Sequence, residues 1–516
     1  MVVNAMDPQL LVAADLVGCR HRYVQRQHFP ELPPTASSTA RRRRSAAELQ
    51  TVLALLPTRR GLGDGRRRPF LRVDLPGVED PAEAELATLE ALAEDATLIT
   101  GAVFTGTDAG HRWRVTIDVL VRREDGSYAP VILSNHRAAR PDPDSVMEAI
   151  ATHRLGLSRP LRVGYRPRHH VIDGYRLGLA ARALHTLGLD SGRGGVIGQD
   201  PTTAFLTGTA GFQPALDAAL RAGWPIGARR VKECATCRYW VHCEPALRAA
   251  DDISLVLPGD RARDFREEGL TTVTELIDAR RGEPSVLAAA WRNGTPLLRR
   301  SAAGPVTGPA ADVEIDVDME AYLDHGAYLW GAFDGAAYHG FSTWEDLGTD
   351  AEAENFARFW SWLRERRAEA RTAGKTFAVY CYSAHGENHW LRASATRFGG
   401  RRFGSLRVPE LEEVEEFIAS EEWVDVFRWV RHHLFGPQGI GLKVVAPQAG
   451  YTWADEDFGG EESVYTRRRA LAVDEAGYAA RATLLRYNED DTRATAAVRA
   501  WLRAGAPGVP ADTEFW

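Results

Sequence analysis

Segments of helical and of alternating hydrophobic periodicity follow one another along most of the chain, which predicts a mixed α/β protein. Near the start, residues 10–23 have a helical apolar pattern. After a proline-rich break, Ser45 and Glu48 have the spacing of a capping box, which predicts that a helix begins at Ser45. The next predicted helix covers residues 81–93. Strands are predicted at residues 98–105, 113–122 and 128–133, with an Asp-Gly turn between the last two.

The second half has a different order of elements. Residues 253–277 are predicted to be helical on both sides of a Pro-Gly turn, and the sequence Gly-Pro-Val-Thr-Gly-Pro at 304–309 is typical of a linker. Beyond it, the pattern predicts strands at 313–319, 327–333 and 376–381, and a long helix at 352–373. The chain is therefore predicted to have three parts: an N-terminal domain at 1–250, a helical hairpin connector at 251–303 and a C-terminal α/β domain at 310–510.

Length and composition agree with several domains. The chain has 516 residues, of which 44% are hydrophobic, enough for two or three separate cores. It contains no run of about 18–20 apolar residues, and its first residues lack the order of a signal peptide, so we expect a cytoplasmic protein. Five cysteines, three of them between 234 and 243, favour a metal or cluster site over a disulfide framework.

Charge is distributed unevenly along the chain. Residues 1–250 carry 33 basic and 26 acidic side chains, whereas residues 301–516 carry 22 basic and 35 acidic ones. A basic front half can attract a polyanion, and an acidic back half either repels one or uses its carboxylates to bind cations. The chain contains only three lysines, Lys232, Lys375 and Lys443.

The cysteines give the most specific local pattern. Cys234, Cys237 and Cys243 are spaced x2 and x5, and Cys19 is the only other cysteine in the N-terminal half. Four thiolates are what an iron–sulfur cluster or a structural zinc ion requires. The neighbouring histidines also permit a mixed zinc site, so the residues alone leave cluster and zinc open. The remaining alternative is that the cysteines bind no metal, with three of them simply buried and the fourth unrelated to them.

Acidic residues of the back half form the second pattern. Asp318 and Glu320 alternate on one predicted strand, Glu387 opens a predicted helix, and Tyr487 and Asp491 are one turn apart on another. Cleavage of phosphodiesters with two metal ions requires about four converging carboxylates. Glu314 and Asp316 lie on the same face as the first pair, which leaves the register of that motif open. The alternative is a solvated edge strand.

A cysteine before a nuclease core and C-x2-C-x5-C after it resemble the iron–sulfur staple of the AddB and CRISPR-associated adaptation nucleases, which are RecB-like PD-(D/E)XK proteins. This resemblance implies a restriction-endonuclease-like α/β core closed by a [4Fe–4S] cluster. Asp118 on one strand matches the first catalytic acid, but the next strand leads to His136 instead of Glu-x-Lys. The departure favours a degenerate, DNA-binding domain. The alternative is an endonuclease that uses Asp118 and His136.

The three acidic segments, in their order, resemble the ribonuclease H-like exonucleases of the DEDD type, in particular the YprB-like group. That resemblance implies that Asp318, Glu320, Glu387 and Asp491 bind Mg²⁺ or Mn²⁺ and that Tyr487 orients the attacking water. Related exonucleases often have Asp where this chain has Glu387. The connector resembles the helix–turn–helix unit of RecB-like nucleases, although a simple spacer is an equal alternative.

Together the two resemblances imply an exonuclease acting on DNA or RNA, with the 3′–5′ polarity taken from the YprB-like group, and an N-terminal domain that holds the nucleic acid. A helicase partner and a role in DNA repair are further expectations. The competing hypothesis is a non-catalytic nucleic-acid-binding or scaffold protein in which both nuclease folds have decayed. The acids discriminate between the two, because a decayed site should have lost some of them and here all remain.

Overall fold

The computed structural model describes residues 10–59, 69–75, 77, 80–455 and 458–516, and it divides into two units, Met1–Thr272 and Val273–Trp516. The boundary falls inside the segment predicted as a connector. The strands of the first unit are β1 (Arg72–Asp74), β2 (Leu98–Asp108), β3 (His111–Arg122), β4 (Tyr128–Leu133), β5 (Ala139–Pro141), β6 (Met147–Ala151), β7 (Leu161–Val163), β8 (Tyr165–Pro167), β9 (Arg193–Ile197) and β10 (Thr203–Gly208). Its helices are α1 (His21–His28), α2 (Ala36–Leu55), α3 (Pro81–Ala93), α4 (Val171–Thr186), α5 (Gln213–Arg221), α6 (Trp240–Ala249) and α7 (Arg263–Glu267).

An eight-stranded mixed sheet in the order β1-β2-β3-β4-β9-β10-β6-β7 organises the first unit. Strands β2, β3 and β4 form an antiparallel meander, and β9 joins it parallel to β4. Helix α4 packs against β3, β4 and β9, and α3 packs against β2. Strands β5 and β8 form a separate two-stranded ribbon. The predicted helix at 81–93 and the three predicted strands are confirmed, with longer β2 and β3.

The prediction that a helix begins at Ser45 is wrong. Helix α2 begins at Ala36, directly after Thr35, whose hydroxyl accepts the backbone N–H of Ser38 at 3.2 Å. Thr35 follows two prolines, so it caps the first residues that can become helical. Ser45 lies in the middle of the helix, where its hydroxyl forms a hydrogen bond with Asn135.

The strands of the second unit are β11 (Leu298–Arg299), β12 (Val313–Tyr322), β13 (Gly326–Phe333), β14 (Tyr338–Ser342), β15 (Phe377–Cys381), β16 (Arg402–Phe403), β17 (Leu406–Arg407), β18 (Trp423–Asp425) and β19 (Leu434–Phe435). Its helices are α8 (Val273–Asp278), α9 (Glu283–Arg292), α10 (Asp350–Thr372), α11 (His385–Phe398), α12 (Leu411–Ala419), α13 (Val426–His433), α14 (Leu442–Val445), α15 (Gly460–Ala470) and α16 (Glu475–Arg503).

The second unit is built on a five-stranded sheet in the order β14-β13-β12-β15-β18. Strands β12, β13 and β14 are an antiparallel meander, whereas β15 and β18 run parallel to β12. One apolar core lies between this sheet and helices α10, α11 and α12, and includes Phe356, Phe359 and Trp390. The long helix α16 packs against β12 and β13. The carboxyl ends of the three parallel strands therefore lie at one edge of the sheet.

None of the helices within the described residues combines the length and the apolar character that a membrane crossing requires.

Candidate active site

A row of acidic side chains runs along the face of β12 that packs against α16. Its members, two residues apart, are Glu314, Asp316, Asp318 and Glu320. The first two are neutralised by arginines of α16. Arg499 donates to both carboxylate oxygens of Asp316, at 2.9 and 2.6 Å, and Arg499 and Arg503 both pair with Glu314. Burial alone would raise the pKa of Glu314, but the hydrogen bonds from Arg503 and Arg499 outweigh it and lower the pKa to about 2.

The other two acids have no such compensation. No arginine or lysine of the described residues forms an ion pair with Asp318 or Glu320, and their charged neighbours are the carboxyl groups of Glu387 and Asp491. Burial, followed by repulsion from these carboxylates, raises the pKa of Asp318 well above its ordinary value and that of Glu320 to about 8. Burial also raises the pKa of Glu387 to about 7 and that of Asp491 to about 6. The structure thus brings together the four acids that the sequence predicted as metal ligands.

One stripe of α16 explains why the acid row divides in this way. Tyr487, Asp491, Arg499 and Arg503 lie at multiples of four residues, so they belong to one ridge of side chains that winds slowly around the helix. Its arginine end lies along the beginning of β12, and its acidic part lies along the end of that strand. Of the four acids in the row, Asp318 and Glu320 alone have no cationic ion-pair partner among the described residues.

Neutral donors hold the Asp318 carboxylate. The Nδ2 atom of Asn488 donates to Asp318 Oδ2 at 2.7 Å, and the hydroxyl of Tyr338 donates to Asn488 Oδ1 at 2.7 Å. Gly331 lies opposite Asp318 in the β12–β13 pair. A Cβ atom at Gly331 would lie only 1.7 Å from Asn488 Oδ1, so glycine is what allows Asn488 to approach the strand.

Asp491 is held from a different side. The indole N–H of Trp453 donates to Asp491 Oδ1 at 2.8 Å, and Tyr487 forms a second side-chain hydrogen bond with Asp491. The Lys443 ammonium donates to the carbonyl of Phe458 and lies 5.8 and 5.6 Å from the ring centres of Trp453 and Tyr487. Its charge opposes the burial that raises the Asp491 pKa. Sequence reasoning did not assign Lys443 or Trp453 to the site, although the scarcity of lysines was a usable signal.

Glu387 reaches the site from the end of β15. After Cys381 the chain reverses through Ser383, whose φ of 71° is rare for a residue other than glycine, and α11 begins at His385. Glu387, in the first turn, is 6% exposed. Asp425, at the end of β18, accepts the backbone N–H of Ser383 at 3.0 Å, and its charge adds to the rise in the Glu387 pKa. Asp425 is a fifth nearby carboxylate that sequence reasoning missed, although its place at the carboxyl end of a parallel strand was a signal.

These donors suit a hard cation, because Mg²⁺ and Mn²⁺ prefer carboxylate oxygens and a cation would offset the burial, and the repulsion between carboxylates, that raise the pKa values of these four acids. As they stand, however, no three His, Cys, Asp or Glu side chains within the described ranges form a group that could hold a metal ion. The four acids lie near one another, but their carboxylates do not converge on a single point as metal ligands do.

In the first unit, the two predicted catalytic residues have separate partners. Asp118 on β3 accepts the backbone N–H of Leu133 at 2.7 Å and a hydrogen bond from Arg176 Nη2 at 2.9 Å. Arg176, on α4, also donates to the carbonyl of Leu133. His136 instead stacks on His170, with ring centres 3.9 Å apart. The guanidinium of Arg176 therefore occupies the Asp118 carboxylate, which a metal ion at this position would need as a ligand.

The four N-terminal cysteines approach one another although 215 residues separate Cys19 from Cys234 in numbering. Burial raises the thiol pKa of Cys19, Cys234 and Cys243, that of Cys243 to about 12, and in each case neighbouring cysteines add to the rise. All are free thiols. Four soft sulfur donors fit an iron–sulfur cluster or zinc in chemistry, but like the acids they do not form a closed ligand group.

Comparison with known proteins identifies one part of the chain. Residues 317–503 match the family model of the ribonuclease H superfamily, RNase_H_2. The match begins one residue before Asp318 and ends at the last residue of α16, so it contains all four gathered acids and Tyr487. No curated protein and no solved structure matches the chain. Residues 317–503 are therefore a ribonuclease H superfamily domain with a nuclease-like fold.

Proposed function

We propose that this chain is a metal-dependent nuclease, and that its ribonuclease H-like domain is an exonuclease that hydrolyses phosphodiester bonds at the ends of DNA or RNA strands. The observation that carries the proposal is the division of the acid row. Arginines compensate the first two acids, while the last two meet two further carboxyl groups and form no ion pair with any residue that the structure describes. Concentrated, uncompensated negative charge destabilises a fold, and a bound cation would offset it.

In this proposal, Asp318, Glu320, Glu387 and Asp491 hold two Mg²⁺ or Mn²⁺ ions. Such ions supply an activated water and stabilise the leaving oxygen. Asn488 and Trp453 orient Asp318 and Asp491 through the hydrogen bonds described above. Tyr487, bonded to Asp491, is the residue proposed to orient the attacking water, and Lys443 limits the negative charge around Asp491.

The test is digestion of end-labelled single- and double-stranded DNA and RNA with Mn²⁺ or Mg²⁺. We expect shortening from the 3′ end by the parent protein, loss of cleavage in Asp318→Asn, and a smaller loss in Tyr487→Phe, which removes only a hydroxyl. Asp350→Asn is the matched control, because Asp350 is an exposed carboxylate of the same unit paired with Arg401. Cleavage by an Asp318→Asn, Asp491→Asn double variant at the parental rate would refute the assignment.

For the first unit, we propose a RecB-like domain that binds nucleic acid without cutting it. The ion pair between Asp118 and Arg176 supports this, because a permanently charged guanidinium competes with any cation for that carboxylate. Asp118→Ala is therefore expected to leave cleavage unchanged. If Asp118→Ala or His136→Ala abolished cleavage, the alternative of an N-terminal endonuclease would be correct.

We also propose that Cys19, Cys234, Cys237 and Cys243 hold a [4Fe–4S] cluster, with zinc as the alternative. The support is the approach of four free thiols, one buried and three partly buried, from opposite ends of the unit's sequence. Protein purified without oxygen should be brown and contain about four irons per chain. Stoichiometric zinc without iron would favour the zinc alternative. A helicase partner remains a proposal that pull-down with the full chain would test.

The competing proposal is a scaffold protein that binds nucleic acid and has lost catalysis. Both proposals assume the same fold, and they differ only in whether the protein cleaves the nucleic acid that it binds. If the parent protein bound nucleic acid but degraded none of the substrates with either metal, this second proposal would replace the first.

A further inference from the structure

The first unit carries a small antiparallel ribbon beside its main sheet. Strands β5 and β8 pair with Ala139 opposite Pro167 and Arg140 opposite Arg166. Backbone hydrogen bonds extend the same register in both directions. The N–H of Arg168 donates to the carbonyl of Ala138 at 2.9 Å, and the N–H of Asp142 donates to the carbonyl of Gly164 at 2.9 Å.

The register determines which side chains share a face. Alternate residues of an extended strand point to the same side, and residues directly opposite each other in a pair are neighbours on that side. One face of the ribbon therefore carries His136, Ala138, Arg140, Asp142, Gly164, Arg166, Arg168 and His170. At one end of the ribbon the rings of His136 and His170 stack, with their centres 3.9 Å apart, so these two side chains are neighbours as well.

This face is strongly cationic and poorly compensated. Arg140, Arg166 and Arg168 are all exposed, and Asp142 is the one carboxylate among these eight residues, 3.5 Å from Arg166. Arg140 and Arg168 have no ion pair with any described residue. Like charges directly opposite each other in a strand pair are destabilising, so the Arg140–Arg166 pair costs stability that a bound anion would recover.

We propose that this even-numbered face of the ribbon binds the phosphate backbone of a nucleic-acid strand. Arginine guanidinium groups match phosphate oxygens in geometry as well as in charge, and the two histidines add ring N–H donors at one end of the row. The excess of basic residues in 1–250 also attracts a polyanion, over a longer range than direct contacts. The choice of nucleic acid as the anion rests on the proposed nuclease function.

The experiment measures binding separately from cleavage. Fluorescence anisotropy of a labelled 20-nucleotide single-stranded DNA, the RNA of the same sequence and the DNA duplex is recorded in EDTA between 50 and 200 mM KCl. We expect the double variant Arg140→Ala, Arg168→Ala to bind about tenfold more weakly near 100 mM KCl. The slope of the logarithm of the binding constant against the logarithm of the salt concentration should become shallower by about 1.4 for single strands, as the removal of two phosphate contacts implies. Arg140→Lys, Arg168→Lys should retain most of that slope, because the charge remains.

Arg159→Ala is the control, since it removes an exposed arginine of the same unit that is already paired with Glu124. It should bind like the parent, and the melting temperatures of all variants should agree. Three results would overturn the proposal: parental affinity of the Ala double variant, an equal loss in Arg159→Ala, or a parent that binds heparin or anionic vesicles but no nucleic acid. If the ribbon variants lose affinity while the parent cleaves no substrate with Mn²⁺, the ribbon site stands and the nuclease proposal fails.

Discussion

At the scale of single residues, charge compensation separates acids that maintain the fold from acids that are available for chemistry. Asp316 is 1% exposed and has both oxygens bonded to Arg499, so it serves structure. Asp318, two residues further, is only partly buried and receives a neutral amide instead of a guanidinium. The alternating pattern predicted that these acids share a face. It could not predict the division, because the arginines that cause it come from a helix about 180 residues later in the sequence.

The first prediction concerns the stability of the metal-free protein against pH. A carboxyl group whose folded-state pKa is raised penalises folding once the pH exceeds its unfolded-state pKa near 4, and the penalty is complete above the folded-state pKa. Glu387 and Glu320, with pKa values raised to about 7 and 8, place this loss between about pH 5 and pH 8. In EDTA, Glu320→Gln should therefore be more stable than the parent at pH 8.5, by about 1–2 kcal/mol in urea unfolding, and nearly equal to it at pH 5. A gain independent of pH would contradict this explanation, and Asp350→Asn should show no gain at either pH.

The second prediction concerns the compensated half of the row. Arg499→Met keeps an unbranched apolar stem in place of the inner part of the arginine side chain but leaves Asp316 buried without its partner, which should cost about 3–5 kcal/mol in the free energy of unfolding. Arg366→Ala breaks a pair with Glu369 on the exposed face of α10 and should cost less than about 1 kcal/mol. Urea denaturation of both variants makes the comparison. Equal, small losses would mean that Asp316 is stable without Arg499.

At the scale of elements, the site depends on how closely α16 approaches the meander. The third prediction is that Gly331→Ala destabilises the second unit by about 1–3 kcal/mol, because the added Cβ would meet Asn488 Oδ1 at 1.7 Å and push the helix outward. Gly386→Ala is the matched control: within α11 its Cβ meets nothing closer than Met319 Cε at 3.7 Å, so the change should be neutral or slightly stabilising. Similar losses in both variants would show that the approach of Asn488 is not the cause.

Elements with a strong local pattern were predictable from the sequence, and those set by distant contacts were not. Helix α3 and strand β4 were predicted with their observed bounds because a cap and a turn define their ends locally. Helix α2 was misplaced because Ser45 imitates a cap in the middle of a helix that Thr35 starts. The approach of Asp318, Glu387 and Asp491 was predicted only through a family resemblance, since no local pattern links residues so far apart. Lys443 and Asp425 were not assigned to the site, although the scarcity of lysines and the carboxyl end of a parallel strand were signals that pointed to them.

At the scale of the whole molecule, the two units differ in net charge and in the chemistry they gather. The first brings together thiols and arginines, and the second brings together carboxyl groups. Each set draws on residues far apart in its own unit, so each proposed cofactor would stabilise the unit that binds it, because binding to the folded state alone adds to the free energy of unfolding.

The last prediction follows from that separation. Cys19 precedes the main sheet of the first unit in the sequence and the other three cysteines follow it, so a cluster held by all four would link the two ends of the segment between them. Cys19→Ser should therefore lose iron and make residues 1–250 sensitive to limited proteolysis, while residues 310–505 remain folded.

Cys381→Ser is the control: Cys381 is a buried cysteine of the second unit, so its loss should leave the iron content and the protease pattern of residues 1–250 unchanged. Mass spectrometry of the fragments and iron analysis of the intact variants read out both effects. A Cys19→Ser protein that keeps its iron and its protease resistance would exclude Cys19 from the site.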